Sequence, residues 1–346
     1  MKIFIVAAER QDISELVKDV TWSGSRTGVA RKLEVNFTQD ERDPQWRVVD
    51  FDNGYTVIGF DDNDVEFFQG NIYRYKRSRA ESNVYFMCFD HLHVMKASKM
   101  TKEYTNALPE DITRELCQQL GVYAGDIAET GVPVSFVANN KTGYQIIMMA
   151  YTEAHKKNDK LYQPIMNGNK LNIVEKGSLI EDFVLDSRVN MINSEYEESI
   201  EKLINQVVLL DEQGNITGYE RKDDLIEKYS MFQTTIKTDP NKDMKKEIEA
   251  IFKDNKVERS GHITALGDYR AISSYSVQVT DGLFNGEFYI AQDTHIFREG
   301  QHEMKLELEF ENEMNEVEAP QKKEEKKDAE SGKRKRKDKD GDSNAE

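Results

Sequence analysis

The most regular pattern of hydrophobic and polar positions lies near the end of the chain, between Leu283 and Phe310. Residues 304–310 alternate apolar and charged side chains without interruption, and residues 288–290, Phe-Tyr-Ile, form a β-prone triplet. Residues 298–301, Arg-Glu-Gly-Gln, have the composition of a turn. The pattern predicts a β-hairpin that closes a β-barrel and has one buried face and one solvent-exposed face.

The first 97 residues show the same periodicity in shorter runs. Residues 31–37 alternate cleanly, so that Leu33, Val35 and Phe37 fall on one face of a strand. Turn signals at Asn53-Gly54 and a hairpin pattern over residues 72–89 separate further strands. Many short strands at this spacing predict a barrel or sandwich for residues 1–97.

The period changes near Met100. Leu108-Pro109 begins a predicted helix with apolar residues at helical spacing, and residues 142–157 predict a second helix. A hairpin with Asn167-Gly168 at its turn follows, which completes a small α/β module over residues 98–176. We interpret its methionines and tyrosines as core residues.

Residues 177–316 return to β patterning, with predicted strands at 204–210, 232–238 and 275–279 and one inserted helix at 242–255. The chain is therefore predicted to be α+β, mainly β, with two β regions flanking the α/β module. Residues 317–346 contain ten basic and nine acidic residues and no aromatic residue, which predicts a disordered charged tail. Its basic cluster at 333–337 is compatible with an anionic partner, but the surrounding acidic residues favour a solubilising or tethering segment.

The composition of the chain argues against some classes of function. Charged residues make up 32% of the 346 positions, mean hydropathy is -0.72, and the formal net charge is -17. A protein that binds the nucleic acid backbone irrespective of sequence needs a basic face, so this balance argues against that class. Without a long apolar run or an amino-terminal signal, the sequence predicts synthesis in the cytoplasm and no membrane anchor. Cys88 and Cys117 are expected to be reduced and buried.

Residues 88–93, Cys-Phe-Asp-His-Leu-His, are the one local cluster of metal-type ligands. Alternation along a strand places Cys88 and Asp90 on the face opposite to His91 and His93, unless the strand ends there, and no fourth ligand is evident. The sequence therefore predicts no metal site and no other cofactor.

His295 and His302 lie in the closing hairpin beside Asp293 and Glu303, which resembles an acid–base arrangement. We favour hydrogen-bonded histidines that pin a turn. Nucleophile elbows, phosphate loops, zinc-protease motifs and dinucleotide fingerprints do not occur, so no catalytic residue is predicted.

Four stretches resemble, in this order, the XkdQ/YqbQ family of tail proteins from PBSX-like prophages and from contractile phages and bacteriocins of Gram-positive bacteria. They are residues 20–24 with 30–34 (Val-Thr-Trp-Ser-Gly and Ala-Arg-Lys-Leu-Glu), 89–92 (Phe-Asp-His-Leu) with the helix that ends near Gly121, 127–132 (Ile-Ala-Glu-Thr-Gly-Val), and 286–290 (Gly-Glu-Phe-Tyr-Ile) through His295 to 302–304 (His-Glu-Met). Their order and spacing carry the resemblance, which ends at about Phe310. The charged tail lies outside it.

The resemblance implies a structural baseplate hub of a contractile tail, in a phage or a DNA-free bacteriocin. It implies two tube-type β-barrel domains, at residues 1–97 and 177–316, and a homotrimer whose pseudo-six-fold ring joins a six-fold tail tube to a three-fold spike. The expected partners are the tail tube protein, the spike protein and other baseplate proteins. DNA is expected to pass through the lumen without specific binding, repelled by glutamates such as Glu307 and Glu309. The assembly candidates are Trp22, Gly24, Gly286, His295, Gly300 and His302.

Two alternatives remain open. A tail-associated cell-wall hydrolase needs a catalytic domain that these motifs do not supply. A binding module places recognition of a glycan or a partner protein in residues 100–174, where the helical content favours protein contact.

Overall fold

The computed structural model describes residues 1–320 except positions 29, 41, 79 and 241. Strands dominate among these residues, and five α-helices accompany them, which confirms the predicted α+β, mainly β class. One large sheet contains 13 strands, and three small sheets contain two or three strands each. Three hydrophobic cores are centred in the two β regions and in the module between them.

The first β region curls around its own core. Its elements are β1 (Lys2–Val6), β2 (Arg10–Asp12), a 3-10 turn (Ser14–Leu16), β3 (Val17–Ser25), β4 (Lys32–Thr38), β5 (Thr56–Phe60), β6 (Glu66–Ser78) and β7 (Asn83–Asp90). The strands pair in the order β3-β4-β7-β6-β5-β1-β2. Leu33, Val35 and Phe37 are fully buried, as the alternation predicts. Ile3 of β1 and Val20 of β3 enter the same core although their strands are far apart in this order, so the sheet is barrel-like.

The α/β module packs three helices on two small sheets. It consists of α1 (Leu92–Ala97), β8 (Lys99–Ala107), α2 (Pro109–Leu120), β9 (Tyr123–Ile127), β10 (Val134–Thr142), α3 (Gly143–Asn158), β11 (Tyr162–Asn167) and β12 (Lys170–Glu175). Thr142 and Gln145 form a capping box at the start of α3, with hydrogen bonds of 3.1 and 3.0 Å. Met148, Met149 and Tyr151 are buried in the module core, as expected.

The second β region holds the third core and an inserted subdomain. Its elements are β13 (Ser178–Asp186), β14 (Met191–Ser199), β15 (Gln206–Leu210), β16 (Ile216–Arg221), α4 (Asp223–Tyr229), β17 (Gln233–Lys237), α5 (Met244–Asp254), β18 (Glu258–Leu266), β19 (Tyr275–Thr280), β20 (Asn285–Arg298) and β21 (Gln301–Glu309). Strands β14, β18, β21, β20, β19 and β13 pair in that order. Strands β15, β16 and β17 form a separate small sheet beside α4 and α5.

Strand β20 joins the two β regions. Residues 285–289 pair with β19, residues 292–298 pair with β3, and β21 pairs along the other edge. The predicted closing hairpin is present, and it also extends the sheet into the first β region. The domain boundaries after residues 97, 176 and 316 stay predictions.

The segment after β21 returns to the α/β module. Met314 is buried in the module core, and Val317 and Ala319 pack against it. The Val317 amide donates to Thr152 Oγ1 at 3.0 Å. Ordered packing therefore extends into the first residues of the predicted charged tail, and residues 321–346 lie outside the described part of the chain.

Candidate functional site at the joint of the two β regions

Four of the six assembly candidates meet where β20 pairs with β3. The register places His295 opposite Trp22 and Asp293 opposite Gly24. His302, on β21, approaches from the other side, with its Nε2 at 3.0 Å from His295 Nδ1. We call this cluster the joint, and Arg31 and Asp293 form its centre.

Arg31 and Asp293 form a bidentate ion pair within the joint. Arg31 Nη1 donates to Asp293 Oδ1 at 3.0 Å, and Nη2 donates to Oδ2. The two side chains are 8% and 0% exposed. Asp293 Oδ1 also accepts from the Ser273 amide at 2.7 Å. Because the charges are buried, paired and held in planar geometry, they fix how the first β region meets the second.

Trp22 and Gly24 shape the space around Arg31. The Arg31 guanidinium lies over the Trp22 ring, with Cζ 4.0 Å from the ring centroid. A Cβ at position 24 would stand 2.9 Å from Arg31 Cζ, so the guanidinium occupies space that only glycine leaves open. Trp22 also contacts Phe67 of β6 and His295 of β20, with centroid distances of 5.1 and 5.0 Å. It therefore packs against both β regions at once.

Asp90 holds the backbone of Arg31. Its carboxylate accepts from the Arg31 amide at 2.9 Å and from the Leu92 amide at 3.1 Å. Burial raises the pKa of Asp90 to about 7. The end of β7 and the start of β4 are thereby tied together beside the ion pair.

His295 and His302 form a neutral pair. His295 Nε2 lies 3.1 Å from the Ala271 carbonyl, which only accepts, so this nitrogen carries the proton and Nδ1 accepts from His302 Nε2. Burial lowers the pKa of each histidine to about 4. His295 lies inside β20, and its hydrogen bond to Ala271 holds the turn between β18 and β19, in agreement with a histidine that pins a turn. Its Nδ1 accepts a hydrogen bond from His302 on the neighbouring strand β21.

We expect the unfolding free energy to fall as pH is lowered from about 6.5 to about 4. Within this window the unfolded chain protonates both histidines, whereas the folded chain keeps them neutral, so stability rises with pH. Asp90 acts in the opposite direction, because its raised pKa favours the folded state when protonated. Urea unfolding across this pH range measures the slope.

The variant His302→Gln isolates the contribution of His302 to the pH dependence of the unfolding free energy. A glutamine amide can still donate to His295 Nδ1 but does not titrate, so the variant is expected to show a shallower slope than the wild type between those pH values. An unchanged slope contradicts the assignment.

Gly286 and Gly300 lie away from the joint. Gly300 follows Glu299 in the two-residue turn between β20 and β21, and the two residues have φ of 76° and 52°. Such a turn needs positive φ at both positions, which glycine adopts without cost. Gly286, with φ of 139°, pairs with Val279 near the start of β20.

The predicted metal-type cluster is dispersed. Strand β7 ends at Asp90, and His93 lies in α1, stacked on Phe89 at 4.5 Å. Cys88 and Cys117 are both buried and free, in β7 and α2. Within the described part of the chain, no three His, Cys, Asp or Glu side chains come together as a metal site.

Sequence reasoning did not select Arg31 or Asp90 as site residues, although both lie in stretches that carry the family resemblance. The alternation of the strand could have identified Arg31. Because Arg31 stands two residues before the inward-facing Leu33, both side chains lie on the buried face. A charged residue at an inward position requires a partner of opposite charge.

Among the described residues, no helix has both the length and the apolar character that crossing a membrane requires.

Comparison with known proteins identifies the fold and the family. The phage-like element PBSX protein XkdQ of Bacillus subtilis (strain 168) is 22% identical over 318 residues, covering 89% of this chain and 96% of XkdQ. The 43 kDa tail protein of prophage MuSo2 from Shewanella oneidensis has a similar fold, with a TM-score of 0.66, 9% identity, and coverage of 89% of this chain and 98% of that chain.

A second similar structure is the E. coli c3393 protein, a component of the type VI secretion system with structural similarity to the T4 bacteriophage tail proteins gp27 and gp5. Its TM-score is 0.52 at 8% identity, with coverage of 89% of this chain and 76% of that chain. Residues 20–309 match the YQBQ-like family. The protein has the fold of phage tail proteins, and because the match covers most of the chain, it belongs to the YQBQ-like family.

Proposed function

We propose that the protein is a structural, non-enzymatic baseplate hub, assembled into a phage tail or tail-like particle. Three copies form a ring between a six-fold tail tube and a three-fold spike. The observation that carries the proposal is the joint, because β20 pairs with β3 and so links the two β regions, each with its own core, into one unit. Three such units supply six barrels, which matches the symmetry of a six-fold tube.

The ends of the large sheet support a ring. Because the sheet branches at β20, its end strands among the described residues are β2, β13 and β14, and they differ in length and sequence. Two different edges favour a head-to-tail contact, which closes into a ring when the rotation permits. Ile192 on β14 is 59% exposed, and an exposed apolar residue on an edge strand is typical of a surface that a partner covers.

We propose that the outer face of β21, β20, β3 and β4 lines the lumen. The register aligns Lys305, Thr294, Ser23 and Lys32 in one row and Glu303, Ile296, Thr21 and Glu34 in the next. The face is thus mostly polar, and Glu307, opposite Gln292, continues it, so that its carboxylates outnumber its lysines, which disfavours binding of DNA phosphates. Glu309 does not present a free carboxylate there, because Arg26 donates to it at 2.7 Å. The expectation of an acidic lining that includes Glu307 stays a prediction.

Mass photometry of the purified full-length protein, alone and with its candidate tube and spike proteins, is expected to show a three-chain species. The edge strands predict that Ile192→Asp reduces this species while leaving the circular dichroism spectrum unchanged. Exchange of a residue of nearly equal exposure in the connection between β5 and β6, Val65→Asp (60% exposed), serves as the control. A strictly monomeric protein that clears cell walls in a zymogram contradicts the hub and supports the hydrolase.

A further inference from the structure

Lys176, in the tight connection between β12 and β13, is a buried lysine without an ion-pair partner. Lys176 is 5% exposed, and no carboxylate oxygen in the described part of the chain lies within 4.0 Å of its Nζ. Burial lowers its pKa to about 8. A desolvated lysine of this kind carries a substantial fraction of neutral amine, which is nucleophilic.

Asn312 faces this amine. Lys176 Nζ donates to Asn312 Oδ1 at 3.2 Å, and Asn312 Nδ2 donates to the Lys176 carbonyl at 3.0 Å. A Cβ on Gly177 would stand 2.9 Å from Asn312 Cγ, so the glycine leaves room for the amide to approach. The amide therefore exchanges a hydrogen bond with Lys176 at each of its ends, which keeps its carbonyl group beside the amine.

Both residues are positioned by rigid surroundings. The Lys176 amide donates to Leu161 O, and the Gly177 amide donates to Ser274 O, each at 2.8 Å. On the other side, Met314 anchors the segment after Asn312 in the module core.

Glu309 places a carboxylate near the pair, although more than 4.0 Å from the amine. Its Oε1 accepts from Arg26, while its Oε2 is buried and has no hydrogen-bond partner. Burial raises the pKa of Glu309. Its charge acts on Lys176, whose pKa it raises against the effect of burial.

We propose that Lys176 and Asn312 are a site of intramolecular isopeptide bond formation. The Lys176 amine attacks Asn312 Cγ and forms a C–N bond. The Cγ–Nδ2 bond of Asn312 breaks, one proton passes from the attacking nitrogen to the leaving nitrogen, and ammonia departs. The products are an amide cross-link and ammonia, and the step requires no oxidant or other reactant.

The cross-link ties the segment after β21 to the connection that leads from the α/β module into the second β region. It encloses all strands of that region in one covalent loop. A chain linked in this way resists separation of the closing hairpin from the module under force or denaturant.

Intact-mass spectrometry of the full-length protein tests the proposal. The wild type is expected to weigh about 17 Da less than its sequence, the mass of one ammonia. Peptide mapping is expected to find one branched peptide that joins the Lys176 and Asn312 fragments. Lys176→Met and Asn312→Ala are each expected to restore the full mass.

Asn315→Ala is the matched control, because Asn315 lies on the same segment and binds Tyr144 OH instead. This variant is expected to keep the mass deficit. Cyclisation of an asparagine to a succinimide also releases ammonia, but that deficit would persist in Lys176→Met and give no branched peptide. A wild type of full mass, or a mass deficit that persists in Lys176→Met, overturns the proposal. The peptide map of the wild type does not depend on whether any variant folds.

Discussion

Asp293→Ala is expected to lower the unfolding free energy by about 3–5 kcal/mol, the usual cost of breaking a buried ion pair from one side. The substitution leaves the Arg31 guanidinium charged and buried without its bidentate acceptor. It also removes the acceptor of the Ser273 amide. Urea unfolding followed by circular dichroism measures the change, and a substantial fraction of the variant is expected to be unfolded at physiological temperature.

Two further variants distinguish the free-energy cost of leaving a buried charge unpaired from the cost of losing a salt bridge. Glu249→Ala breaks the exposed pair with Lys245 on α5, whose side chains are 65% and 86% exposed, and is expected to cost at most about 1 kcal/mol. The double variant Arg31→Met, Asp293→Leu is expected to recover part of the loss, because no buried charge remains. The charge-burial account is wrong if Asp293→Ala is as stable as Glu249→Ala.

Local signals made much of the fold predictable. The alternation of β4 and the apolar spacing of α2 and α3 each identify an element within a few residues of its observed bounds. Strand β8 was missed because Lys102 occupies an inward position between Met100 and Tyr104, so that the alternation of burial is not visible in the residue types. Its pairing with β10 also contains register shifts, which disrupt the alternation.

The joint was predictable only in part. Trp22, Gly24 and the two histidines were selected, but no local pattern indicates that β20 leaves β19 at Tyr289 and pairs with β3 from Gln292. That pairing joins positions more than 260 residues apart in sequence, as the Arg31 to Asp293 bond shows. Long-range strand pairing depends on which faces bury together, and this information is spread over the whole chain.

Trp22→Ala is expected to cost about 3–5 kcal/mol, as for a fully buried large aromatic side chain. The variant loses packing against Phe67 and His295 together with the stacking of Arg31, and it leaves a cavity between the two β regions. Chemical unfolding of the two variants Trp22→Ala and Trp22→Phe measures the effect, with the phenylalanine variant expected between wild type and alanine because it retains a ring beneath the guanidinium.

The second tryptophan of the chain, Trp46, provides the control. It lies in the connection between β4 and β5 and is only partly buried, so Trp46→Ala is expected to cost far less than Trp22→Ala. In a Trp46→Phe background, Trp22 is the one remaining tryptophan, and its fluorescence reports on the joint. If the joint fuses the β regions into one cooperative unit, this signal and the far-ultraviolet circular dichroism change at the same urea concentration. Fluorescence that changes well before the circular dichroism would show that the joint opens while both sheets remain folded, and a chain of that kind could not hold two barrels in fixed register within a ring.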